Sequence, residues 1–342
     1  MPEAPICDAE AAVVIVSFRN PGDVLGCLNA LAKAPAQPSF SVLICENGGT
    51  EAYDTLVAAL SGMGLPAVET VVGEEATPFD CLDLFRLGAL RVTLGKAPAN
   101  LGYAGGINAW LTRLAGETAW RGVWVLNPDT TPEPDALAAL VRFADDHGKG
   151  MVGSRAMFSD TAKVVRARGL KWRKLAASVQ GVDIFAPADV RPDPADIEAR
   201  IDAPSGCSFY VTRACFERIG MMDDRYFLLF EDLEWGLRAK ACCGVGYAYD
   251  SVVPHIGGTS IGSGKRMADR SRLAVYLEFR NRILFVRWNY SGWLAWTVFM
   301  AVLQSARLLF AGAPGNFAAA WDGLRAGLAG ETGRPDRLMP AP

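Results

Sequence analysis

No Cys-x-x-Cys pair occurs in this 342-residue chain, although it has eight cysteines. The only histidines are His147 and His255, and neither has ligand spacing to a cysteine pair, so a zinc site is disfavoured. Most of the cysteines (Cys7, Cys27, Cys45, Cys81, Cys207, Cys215, Cys242 and Cys243) lie in apolar runs, as reduced core thiols do in a reducing compartment. Excess positive charge is also missing. The 34 Lys and Arg against 37 Asp and Glu leave a net of −3, which argues against a nucleic-acid partner held by a basic surface. The first ten residues have neither a basic start nor an apolar stretch, so no secretory leader is read and a cytoplasmic location is expected. Long clean apolar runs are absent too. The best, 292–311, is interrupted by Gln304, Ser305 and Arg307. There is no internal repeat.

What is present is globular: 51% hydrophobic and 21% charged residues, enough for one large or two moderate domains. Charge is uneven. Residues 263–342 hold 11 basic and 5 acidic residues, a net of +6, leaving −9 on residues 1–262. Apolar runs at 12–18, 40–45 and 67–72 alternate with helical spacing near 23–33 and 51–61, which predicts a parallel sheet covered by helices. Residues 73–99 break this rhythm and read as a long connection with a short helix at 80–88. A helix from about Gly105, a strand at 122–126 and a helix to about 146 follow. Residues 151–213 are irregular, 230–243 helical, and 270–330 two or three helices rich in Trp, Leu and Arg.

In an open sheet of this kind ligands bind beyond the carboxyl ends of the strands. Those ends carry Glu46-Asn47-Gly48-Gly49 and Asn127-Pro128-Asp129, with the turn Asn100-Leu-Gly102-Tyr-Ala-Gly105-Gly106 between them in sequence. Asp129 could ligate Mg²⁺ or Mn²⁺, which take oxygen donors and leave places for water and phosphate, or it could simply cap the next helix. Glu231-Asp232 follows an apolar run at a helix start, where a carboxylate can act as a base or as a cap. His255 opens the Gly-rich segment His-Ile-Gly-Gly-Thr-Ser260, and Lys265 and Arg266 beyond it suit a diphosphate. The segment around Gly264-Lys265 fails as a P-loop, because Thr259 stands where the first Gly is required and Arg266 where Ser or Thr is.

Together, and in this order, these motifs resemble the family 2 glycosyltransferases of GT-A fold, in particular the bacterial rhamnosyltransferase-like branch, over about residues 12–290. The resemblance implies an α/β fold, a Rossmann-like mixed sheet flanked by helices, with a catalytic unit over 1–262. Its nucleotide-binding half is about 12–130 and its acceptor half about 131–262. A basic, Trp-rich helical region over 263–342 follows. It further implies an inverting transfer from a nucleoside-diphosphate sugar. Ser17, Phe18, Arg19, Glu46 and Asn47 would hold the nucleotide, Glu46 replacing the usual Asp. Asn100, Gly102, Gly105, Gly106 and Asn127 would lie near the donor. Asp129, with His255, would bind the divalent cation, and Lys265 and Arg266 the diphosphate. Asp232 would be the base, Glu231 an orienting group, and Gly206 part of the acceptor wall in Pro204-Ser-Gly-Cys-Ser-Phe-Tyr210. The branch implies dTDP-rhamnose as donor, with UDP-hexose or UDP-galactofuranose next, and a polysaccharide or lipid-linked glycan as acceptor. A non-catalytic glycan-binding relative is the competing outcome. A sugar nucleotidyltransferase is disfavoured, because Ser17-Phe-Arg-Asn-Pro-Gly22 is not that class's basic Gly-rich loop.

Lys265, Arg266, Arg270, Arg272, Arg280, Arg282 and Arg287, followed by Trp288, Trp293 and Trp296, are expected either to meet an anionic membrane surface or to pack a helical cap or homodimer interface. Peripheral attachment at the inner face of the cytoplasmic membrane is the corresponding location.

Overall fold

The computed structural model describes residues 7–65, 67–257 and 269–339. In chain order the elements are β1 (Ala11–Ser17), α1 (Pro21–Leu31), β2 (Phe40–Glu46), α2 (Thr50–Gly62), β3 (Glu69–Val72), β4 (Cys81–Leu87), β5 (Leu90–Lys96), α3 (Gly102–Ala115), β6 (Gly122–Leu126), α4 (Ala136–His147), β7 (Met151–Phe158) and β8 (Thr161–Ala167). They continue with β9 (Leu170–Arg173), β10 (Ser178–Gly181), α5 (Pro194–Arg200), β11 (Ser208–Thr212), α6 (Arg213–Ile219), α7 (Glu231–Cys242), β12 (Val245–His255), α8 (Arg272–Asn289), α9 (Leu294–Phe310) and α10 (Pro314–Ala329).

One mixed sheet runs β12-β7-β11-β6-β1-β2-β5-β4-β3, with β8 added to β7. β1 is parallel to both β2 and β6, so the ends of these three strands open on the same side. Successive β1 residues serve opposite layers, as a strand requires. Val13 and Ile15 pack with Val24, Leu28, Leu56 and Leu140 of α1, α2 and α4. Ala12 and Val14 pack with Ile107, Trp110 and Leu111 of α3.

The expected helix at 80–88 is instead β4, and the long connection is a hairpin with β5. The segment Leu82-Asp-Leu-Phe-Arg-Leu87 does not alternate strictly, and its pairing with β3 and β5 makes it a strand. Asp83 is buried because Tyr53 and Thr70 hydroxyls donate to it at 3.0 and 2.5 Å. The strand expected at 67–72 exists as β3, but it is an antiparallel edge strand on β4, and β5 is the parallel partner of β2.

The C-terminal helices form a further layer and share cores with the sheet-bearing part. Phe227 packs among Tyr276, Ile283 and Leu324, and Phe230 and Trp172 pack against Phe285. The basic residues of α8 do not form a surface patch. Arg280 and Arg282 are 1% and 2% exposed. Arg280 donates to the Tyr226 and Gly333 carbonyls at 2.8 and 2.7 Å. Arg282 donates to Glu278 and Gln304, and Arg270 also pairs with Glu278. A guanidinium carries five donors, and here they tie helices and a loop together where apolar packing leaves carbonyls to satisfy.

Candidate active site

A cavity of about 370 Å³ opens at the ends of β1, β2 and β6, where the topology predicts a ligand. Its walls differ in chemistry. One comes from strand ends and the turn before α3. Asn47, after β2, donates its amide to the Gly102 carbonyl at 2.8 Å and accepts from the Leu101 N–H, while Asn100 accepts from the Gly102 N–H. This fixes the α3 N-terminus against the cavity. Gly102 has φ +74°, and a Cβ there would stand 2.2 Å from the Phe227 carbonyl oxygen, so the position demands glycine.

The same wall carries Asn127, Pro128 and Asp129 after β6. Asp129 is buried, accepts from the Gly257 N–H at 2.9 Å, and faces His255 Nε2 at 3.1 Å. His255 ends β12, so a short bridge between Thr130 and His255 brings two distant segments together. Burial alone would lower the His255 imidazole, but the Cys207 thiol and the Asp129 carboxylate outweigh it and push it up to about 9. Asn127 Oδ1 and His255 Nδ1 are buried with no partner. Asn127 and the Asp129 carboxylate meet beside His255 Nε2, and their oxygens would suit a divalent cation that also takes water and substrate oxygens. Among the described residues no three His, Cys, Asp or Glu side chains form a metal-holding group, so the protein's share of such a shell is partial.

The opposite wall is built from the Phe227-Leu-Leu-Phe230 loop and the start of α7. Phe227, Leu229 and Phe230 all have positive φ, a strained backbone for non-glycine residues. The loop is held from α8. Asn281, fully buried, donates to the carbonyls of Tyr226, Leu228 and Leu229 at 2.8–3.0 Å. The loop in turn delivers Glu231 and Asp232 to the cavity. Asp232 accepts from the Leu233 N–H at 2.8 Å, and its Oδ2 would lie 2.3 Å from a Cβ at position 206, so Gly206 is the clearance that lets the carboxylate in. Burial raises both carboxyls above the ordinary range, and the neighbouring Asp232 charge raises Glu231 further. Glu231 Oε2 has no partner, and backbone N–H groups favour the ionised form of both carboxyls against the effect of burial.

Of the residues the sequence singled out, Phe18, Asn47, Asn100, Gly102, Asn127, Asp129, Gly206, Glu231, Asp232 and His255 line this one cavity. Ser17, Arg19 and Glu46 stand behind its wall. Buried Glu46 is consumed there, accepting from the Ser17 hydroxyl at 2.5 Å and from the Gly48 and Arg19 N–H groups. Gly105 and Gly106 lie one turn into α3, Gly106 against Val16. Lys265 and Arg266 fall outside the described residues.

Sequence reasoning missed Tyr103, whose hydroxyl donates to the Gly206 carbonyl at 2.7 Å and whose N–H donates to Phe227, tying the two walls. It also missed Arg166 of β8, a cation in the lining, and the apolar side made by Leu170, Leu228, Leu229, Leu273 and Met339. No local signal marks them. Cys207 and Ser205 lie in the small-residue segment that was flagged.

Comparison with solved structures aligns 80% of this chain with 51% of GalNAc-T7 bound to UDP, GalNAc and Mn²⁺, at 13% identity and a TM-score of 0.51. The chain thus spans about half of that protein. It also aligns over 87% of its length with 72% of an S. aureus TarS fragment in complex with UDP, at 12% identity and a TM-score of 0.46. Comparison with curated proteins finds no match. The likeness to GalNAc-T7 is one of fold, a mixed sheet flanked by helices as in GT-A glycosyltransferases. The family model "Glycosyltransferase like family 2" matches residues 9–272, which take in every cavity motif described above and most of the chain. The chain belongs to that glycosyltransferase family.

Proposed function

We propose that this protein is an inverting, cation-assisted glycosyltransferase that moves a sugar from a pyrimidine nucleoside diphosphate to a hydroxyl of a polysaccharide or lipid-linked glycan. The observation that carries this reading is one cavity with two differently tuned acidic walls: Asp129 among polar donors and a histidine, and Asp232 in an apolar, strained setting. Environments that push two carboxylates apart assign them different roles.

The nucleotide lies along Phe18, Asn47 and Asn100, with its diphosphate toward Asp129, His255 and Arg166. Asp129, Asn127 and His255 would hold Mg²⁺ or Mn²⁺, which neutralises charge on the departing diphosphate. Arg166 adds a fixed positive charge on the same side. Asp232, its proton affinity raised by burial, takes the proton of the acceptor hydroxyl as that oxygen attacks the anomeric carbon. Attack from the face opposite the diphosphate inverts the centre and needs no protein nucleophile. Glu231, beside it, orients the acceptor. Tyr103 holds the Gly206 and Phe227 segments at their spacing.

The sugar is the finest part of the reading. The rhamnosyltransferase-like motifs favour dTDP-rhamnose, while the UDP bound in GalNAc-T7 supports a UDP-sugar as the next choice. The test offers radiolabelled dTDP-rhamnose and UDP-sugars with Mn²⁺ and follows transfer to polysaccharide or lipid-linked acceptors. Transfer from one series, lost in Asp232→Asn, supports the reading. Nucleotide binding with no transfer to any acceptor would favour a non-catalytic glycan-binding relative.

A further inference from the structure

Helix α9 has one face against the body and one face bare. Thr297, Ala301, Ser305 and Leu308 are buried, packed toward α8 and α10. Trp296, Phe299, Leu303 and Phe310 recur at helical spacing on the other side and are 41%, 51%, 50% and 91% exposed. Exposed large apolar residues aligned in this way mark a surface that meets something other than water. The turn between β9 and β10 extends the stripe. Leu175 is 71% exposed, and the turn is bolted to α9 by the Trp296 indole N–H on the Leu175 carbonyl at 3.0 Å and the Gln304 amide on the Ala176 carbonyl at 2.8 Å.

The charge around this stripe has one sign. No Asp or Glu occurs from Phe279 to Trp321, nor from Thr161 to Val182. Arg173, Lys174 and Arg307 are exposed at the margin of the apolar stripe or within it. Arg280 and Arg282 of α8, two of the basic residues the sequence made candidates, are instead buried ties, while Arg272 is exposed. With Ser291–Trp293 before it the helical stretch has 20 residues, enough by length and composition to cross a bilayer, but its Thr297, Ala301, Ser305 and Leu308 face is already packed on the body. The helix is thus built to lie in an interface plane rather than to cross it.

We propose that the α9 stripe and the β9–β10 turn form a docking face for the surface of an anionic phospholipid bilayer. Trp296, Phe299, Leu303, Phe310 and Leu175 enter the headgroup boundary, and Arg173, Lys174 and Arg307 meet the lipid phosphates. The cavity lies close by. Leu170, at the start of β9, lines it, and the four residues of β9 rise only about 13 Å to the turn. The apolar side made by Leu170, Leu228, Leu229, Leu273 and Met339 would then face a lipid-linked acceptor held in the same membrane, a consequence that rests on the transferase reading; the docking face itself does not.

The test is co-flotation of the full chain with phosphatidylcholine vesicles, with and without phosphatidylglycerol, over a salt series. The chain should float with phosphatidylglycerol vesicles at low salt and less as salt rises. Phe299→Glu with Leu303→Glu should cut flotation more than tenfold. Arg173→Glu and Lys174→Glu should each cut it roughly fivefold. Calorimetry of UDP with Mn²⁺ and the unfolding temperature, both unchanged in these surface variants, show that the fold is kept. Failure of all forms to bind nucleotide would count against the transferase reading alone. Absence of flotation with anionic vesicles at low salt overturns the docking face. So does a dimer in solution that Phe299→Glu dissociates while no vesicle binds, because a second copy then covers the stripe.

Discussion

The two walls of the cavity hold acidic residues by opposite means. The Asp129 wall uses strand ends and polar partners: asparagine amides in the turns after β2 and β6, and an imidazole and an N–H brought in at the end of β12. The Asp232 wall uses a backbone that no short segment would adopt alone: three non-glycine residues at positive φ, held by Asn281 from a helix some fifty residues later. On the proposed reading, the first arrangement turns a carboxylate toward the cation. The second raises a carboxylate's proton affinity toward what a base at neutral pH needs. On the proposed reading, binding and proton transfer fall to separate constructions that meet at Tyr103 and Gly206.

The comparison breaks most sharply at Asp232. Asp232→Asn should lower transfer by about 10²–10⁴-fold, the usual worth of a general base, with UDP affinity in Mn²⁺ unchanged in calorimetry. Gly206→Ala should act through the same group. Its Cβ must displace Asp232 Oδ2, so kcat falls by about tenfold or more, in line with the sensitivity of catalysis to small misplacements, while nucleotide binding persists. Asn281→Ala leaves three loop carbonyls without their donor. It should cost about 2–3 kcal/mol in urea unfolding and lower kcat more than it raises KM for the donor.

The smallest effect is the pH dependence at Glu231. Its folded pKa lies above its unfolded value, chiefly through burial and then the Asp232 charge. Its contribution to stability is therefore fully present below the ordinary carboxylate range and is lost as pH rises through the raised value. Glu231→Gln removes that loss, so the melting temperature of the variant should fall less than that of the parent chain between mildly acidic and alkaline pH. An identical decline in both would remove Glu231 from this role.

How much of this was legible follows the same division. Asn127-Pro-Asp129, Asn100 to Gly102 and Glu231-Asp232 are compact signals, because a strand end, a turn or a helix start needs only its own neighbours, and all line the cavity. Glu46 was marked by the same logic, yet it is spent on Ser17 and two backbone N–H groups, a pairing that depends on the register of β1 with β2. The β4 strand was taken for a helix although Gly88, at positive φ, marks the turn to β5, and what buries Asp83 comes from α2 and β3. Asn281, Tyr103 and Arg166 matter through contacts made across the chain, which spacing cannot reveal. The burial of Arg280 and Arg282 was hidden for the same reason: a basic run on a helix reads as surface until the loop carbonyls and Glu278 are in place around it.

The most direct test of the division is calorimetric titration of UDP and dTDP, with Mn²⁺, into the parent chain, Asp129→Asn and Asp232→Asn. The predicted result is metal-dependent binding of a pyrimidine diphosphate to the parent and to Asp232→Asn alike, and a loss on the order of a hundredfold in Asp129→Asn. Binding that survives Asp129→Asn unchanged, or that disappears in Asp232→Asn, would contradict the assignment of cation and nucleotide to one wall and proton transfer to the other.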